Sequence, residues 1–90
     1  MSIIFIYEYM NFVPNEVHFM SPNNYLIQLG EQIKSERNNK GLTQYKLAKE
    51  LFMEQSNLAR IENGKTNPTV NTLIKIAKVL DCKVKDLINF

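Results

Sequence analysis

Lysine and arginine are missing from the first 33 residues of this chain. All eleven basic side chains lie at or after Lys34, while residues 1–24 carry Glu8 and Glu16 with no cation to balance them. That segment has a net charge of −2; residues 25–90, with eleven basic and seven acidic side chains, have +4. A segment without cations offers no phosphate anchor, whereas a basic globular part suits a polyanionic partner. Cysteine is nearly absent as well. A lone Cys82 excludes an internal disulfide and any multi-cysteine zinc site, and reads as a small buried apolar residue. A lone His18 excludes a histidine pair. With no paired carboxylates and no glycine-rich phosphate loop either, no enzyme, metal or cofactor is expected. No apolar run approaches the roughly 20 residues of a spanning helix. The stretch Ser2–Tyr9, SIIFIYEY, is far shorter and lacks the basic start and small-residue cleavage site of a secretion signal. A cytoplasmic protein that makes no use of membrane is expected.

What is present divides the chain in two. Residues 1–24 are dense in β-branched and aromatic side chains, which favours a strand over residues 2–9, until Pro14 and the Ser21-Pro22-Asn23-Asn24 run break it. From Tyr25 the apolar period turns helical. Leu26, Leu29 and Ile33 share one face of a helix ending near Asn39, with Gly41 as its stop. Thr43 suits the N-cap of a short helix with Leu47, Ala48 and Leu51 inward. A turn at Phe52-Met53 leads to a third helix, about Gln55–Asn63, with Leu58 and Ile61 inward and Gly64 closing it. After Asn67-Pro68 a fourth helix, about Thr69–Leu80, is expected to bury Val70, Leu73, Ile74, Ala77 and Leu80. A last short helix holds Val84, Leu87 and Ile88. The expected fold is all-α, five short helices over residues 25–90. One domain is expected, since 90 residues are too few for two.

The text GEQIKSERNNKGLTQYKLAKEL, followed by QSNLARIENGKTNPTVNTLIKIAKVL, resembles the phage repressor/Cro (XRE-like) helix-turn-helix family over about two-thirds of the chain. The specific matches are Gly41-Leu42-Thr43-Gln44, Leu47-Ala48, and Ile61-Glu62-Asn63-Gly64-Lys65 with Pro68. Their combination is a strong signal; any one alone is weak. The core unit is then Gln44–Asn63. Ala48 is small where two helices cross, and the outer face of the third helix is short, polar and free of acids at its middle. Such a helix fits the DNA major groove, where Gln pairs with adenine and Arg with guanine through two hydrogen bonds each. The resemblance implies base reading by Gln55, Ser56 and Arg60, assisted by Asn57. It implies phosphate contacts from Thr43 and Gln44 at the second helix and from Asn63, Lys65 and Thr66 beyond the third. It also implies a structural ion pair between Arg37 and Glu62. Three positions depart from the family: Phe52 replaces a turn glycine, Asp81 a glycine after the fourth helix, and Lys83 a capping Ser or Asp.

The function implied is a sequence-specific DNA-binding transcriptional regulator, a repressor bound as a homodimer to a pseudo-palindromic operator in double-stranded DNA. The alternative is an antitoxin with the same DNA domain, in which residues 1–24 hold a toxin. The apolar side chains of that extension need a partner: the domain's own helices, the same strand in a second copy, which is the favoured reading, or a foreign protein such as a toxin.

Overall fold

The computed structural model describes residues 22–90, and all five of its described elements are helices. They are α1 (Pro22–Asn39), α2 (Gln44–Glu50), α3 (Gln55–Glu62), α4 (Val70–Leu80) and α5 (Val84–Leu87). The expected strand at residues 2–9, and with it strand pairing or toxin binding by the extension, lies outside the described residues. α1 begins at Pro22, three residues earlier than its apolar period suggested. Proline is favoured in a first helical turn, where its missing N–H costs no bond. A residue that reads as a chain breaker therefore starts the helix.

The caps follow local chemistry. Thr43 accepts the Lys46 N–H on its hydroxyl at 3.0 Å, and Thr69 likewise accepts the Thr72 N–H at 3.2 Å. Lys83 cannot cap with its own side chain; instead Asp86, three residues on, accepts the Lys83 N–H at 2.9 Å, which is half of a capping box. Asp81 ends α4 in the left-handed region, φ 55° and ψ 46°, a conformation that Asp adopts more readily than most residues.

Leu29, Ile33, Leu47, Ala48, Leu51, Leu58, Ile61, Leu73, Ile76, Ala77, Leu80 and Leu87 form one buried core. α4 corrects two expectations. Val70 is 67% exposed and Ile74 also faces solvent, while Ile76, which was not expected inside, is fully buried. The buried stripe is Leu73, Ile76, Ala77 and Leu80. Ile74 lies about 110° round the helix from the centre of that stripe, and Val70 sits at its edge in the first turn. At the end of the chain Leu87 is buried, but Ile88 follows α5 as an exposed cap. Cys82 is half-buried against the core, and burial pushes its thiol pKa up, as expected of a packing residue.

α1 and α3 meet without side-chain spacing at one point. A Cβ on Gly30 would collide with the carbonyl oxygens of Ile61 and Glu62. Hydrogen at this position lets the last turn of α3 lie directly on α1, which brings the chain near Glu62 within reach of Arg37, two turns further along α1.

Candidate nucleic-acid interface

α2, the Leu51–Glu54 turn and α3 form a helix-turn-helix unit, buried on one side through Leu47, Ala48, Leu58 and Ile61. The turn passes through Phe52 at φ 56°, and its ring is 97% exposed. Phenylalanine thus occupies a backbone conformation that favours glycine, and its side chain gains nothing from packing.

The outer face of α3 presents Gln55, Ser56, Asn57 and Arg60 to solvent, with Ala59 half-buried among them. The N-cap, Glu54, makes no side-chain bond to the helix. Asn63 and Lys65 are exposed beyond the other end of α3, and Thr66 is half-buried. Between them Gly64 turns the chain at φ 71°, where a Cβ would also press on the Ile27 backbone. Lys65 N–H returns to the Arg60 carbonyl at 2.8 Å, which ties this loop to the end of the helix. The nine residues implied to contact DNA therefore cluster at the start of α2, along the outside of α3 and in the loop after it.

Arg37 and Glu62 lie beneath this surface, 8% and 4% exposed. Arg37 Nε donates to Glu62 Oε2 at 2.7 Å and its Nη2 donates to Oε1 at 3.0 Å, a two-bonded fork. Its Nη1 donates to the Leu42 carbonyl at 2.9 Å. One guanidinium thereby joins the end of α1, the loop before α2 and the end of α3. Arg37 is a buried scaffold group, bonded on all sides within the protein.

Gln44 is the unexpected member of the site. Its Nε2 donates to Glu62 Oε1 at 3.0 Å, and its Oε1 accepts from Gln55 Nε2 at 3.3 Å. The start of α2 is thus bonded to both ends of α3. The residue types hinted at no such link, because spacing within a helix says nothing of which side chains meet across two. Thr43, expected on phosphate, spends its oxygen on capping α2, which leaves its hydroxyl hydrogen free to donate outward.

Residues 33–87 match the model of the family described as helix-turn-helix. An uncharacterized HTH-type transcriptional regulator of Archaeoglobus fulgidus is 34% identical over 59 residues, covering 66% of this chain and 84% of the relative. Among solved structures, the restriction-modification controller protein C.AhdI of Aeromonas hydrophila superposes with a TM-score of 0.67 at 29% identity, over 69% of this chain and 94% of that one. The biofilm master regulator SinR, solved in complex with DNA, superposes with a TM-score of 0.61 at 38% identity, over 66% of this chain and 95% of that one.

Proposed function

Because the chain belongs to the helix-turn-helix family of transcription regulators, in its phage-repressor (XRE) branch, we propose that it binds a pseudo-palindromic operator as a homodimer and represses by blocking polymerase. The observation that carries the reading is the outer face of α3: four polar side chains, none acidic, exposed to solvent and clear of the core on a helix narrow enough for the major groove. Gln55, Ser56 and Arg60, with Asn57, read base edges. Thr43, Gln44, Asn63, Lys65 and Thr66 grip the backbone on either side. The solved complex of SinR with DNA, at 38% identity, supports this use of the shared unit. Two copies are invoked because one domain touches too few base pairs for useful specificity. The family resemblance supplies the direction of regulation, and the cytoplasm is the place of action.

The test begins with selection of bound sequences from random DNA, which should return a two-fold symmetric site. On that site Gln55→Ala or Arg60→Ala should each cost about 1–3 kcal/mol while leaving random-sequence binding nearly unchanged; Lys65→Ala should weaken both. Equal losses on all sequences for the two α3 variants would remove base reading from this face.

A further inference from the structure

α2 is closed at its start by the Thr43 hydroxyl, but the N-cap of α3 closes nothing. Glu54 stands at that position with an extended backbone, φ −73° and ψ 144°, and its side chain makes no bond to the helix. Serine, threonine, asparagine and aspartate serve at such positions; glutamate is not among them. The Glu54 backbone is nonetheless fixed, because its carbonyl accepts the Asn57 N–H at 3.0 Å and the Leu58 N–H at 3.2 Å. Its carboxylate is exposed and, among the described residues, has no ion-pair or hydrogen-bond partner. It borders one surface groove with Tyr45, Lys49 and Gln55. A fixed backbone thus holds a free acid immediately before the first residue of the helix that faces the major groove.

We infer that Glu54 is a further specificity-determining residue of this interface, accepting from the N4 amino group of a cytosine next to the base pair that Gln55 reads. The inference rests on the proposed function. The first residues of a helix seated in the major groove reach base edges, so the residue before Gln55 lies within reach of the same groove floor. A carboxylate is solely an acceptor. Guanine offers two acceptors on its major-groove edge, and thymine an acceptor and a methyl group, so either sets an oxygen against the acid. Adenine offers its N6 amino group beside the acceptor N7, which would face the second carboxylate oxygen. Cytosine alone presents an amino donor with no acceptor of its own on that edge. The phosphates on both walls of the groove repel the acid on every sequence, and only the bond to cytosine offsets that repulsion. One side chain therefore acts twice. It weakens binding to random DNA, and it restores binding where the cytosine is in place, so the ratio between the two rises.

The test compares the full chain with Glu54→Gln and Glu54→Ala, each checked for its helices by far-UV circular dichroism, in parallel selections from random DNA. The parent should prefer cytosine at one base pair per half-site, adjacent to the pair whose preference Gln55→Ala removes, by about 5- to 150-fold over other bases. Glu54→Gln should move that preference to adenine, because its amide supplies the donor that N7 requires. Glu54→Ala should leave the position without a preference. Both variants should bind random DNA more tightly, by roughly 2- to 5-fold, the size of an interaction between exposed charges. That gain should shrink as salt is raised. Base preferences unchanged in both variants at every position would overturn the inference. Tighter binding to all sequences alike would overturn it too, since Glu54 would then be a repelling charge only. Loss of helices in either variant would give Glu54 a structural role, with the same consequence. In each of these cases, losses of discrimination in Gln55→Ala and Arg60→Ala would leave the proposed function standing. If neither of those two variants changes discrimination at any base pair, the reading face itself falls and the assignment of Glu54 falls with it.

Discussion

Replacing Phe52 with glycine isolates the energetics of the turn, because the two terms that usually confuse such a change are separable here. The ring is 97% exposed, so its removal forfeits almost no apolar burial. The backbone stands at φ 56°, where a residue with a Cβ pays about 1–2 kcal/mol that glycine does not. Against this, glycine gives the unfolded chain more freedom, worth about 0.4–1 kcal/mol. The net is a stabilisation of about 0–1.5 kcal/mol. For a domain of this size each kcal/mol moves Tm by about 4–8 °C, so Phe52→Gly should melt from level with the parent to roughly 10 °C above it. Phe52→Ala serves as the control: it removes the same ring but retains the Cβ, and should show no rise. Thermal unfolding followed by far-UV circular dichroism measures both. A loss of about 3–5 kcal/mol in either variant, the cost of truncating a buried aromatic, would refute the exposed left-handed turn.

Two further outcomes concern the joint between α1 and α3. Arg37→Met should cost about 3–5 kcal/mol in urea denaturation, because it leaves the Glu62 carboxylate buried without its fork, and Arg37→Met/Glu62→Met should recover most of that loss. Gly30→Ala should cost about 1–3 kcal/mol, since its methyl group meets two fixed carbonyl oxygens and not a side chain that can move; a neutral result would show that the helices can separate freely there.

How far each feature could be read in the chain depends on whether its cause is local. The helices of residues 25–90 were legible because their apolar periods, caps and stops lie within a few residues of one another. Thr43 and Thr69 cap as their chemistry demands, and Gly64 turns the chain where α3 must end. The Arg37–Glu62 pair was legible through family resemblance, and the two side chains meet at 2.7 Å. α4 was misread at Val70, Ile74 and Ile76 because four apolar residues in seven fit more than one stripe. Which stripe turns inward depends on what packs against it, and that is not a property of the helix. Gly30 stood in the quoted motif but was given no role; its signal was a glycine in mid-helix, where it costs stability unless a neighbour needs the space. The bonds of Gln44 had no sequence signal, since they join α2 to both ends of α3.

The buried ion pair raises a question that stability alone does not answer. Two charges withdrawn from water recover their solvation only through good geometry, and replacing such a pair with apolar side chains is often neutral or stabilising. The fork of Arg37 on Glu62 is well formed, but the scaffold could be held as well by two methionines. What an apolar pair could not do is present a carboxylate oxygen to Gln44. Glu62 Oε1 already accepts from Arg37, and its further bond to Gln44 holds the start of α2 to the end of α3. Stability and reading should therefore separate in the Arg37→Met/Glu62→Met protein. Its unfolding free energy should stay near that of the parent, while its preference for the selected operator over random DNA declines. The two kinds of measurement, on one variant, distinguish a pair retained for the fold from one retained for how it seats α2 against α3.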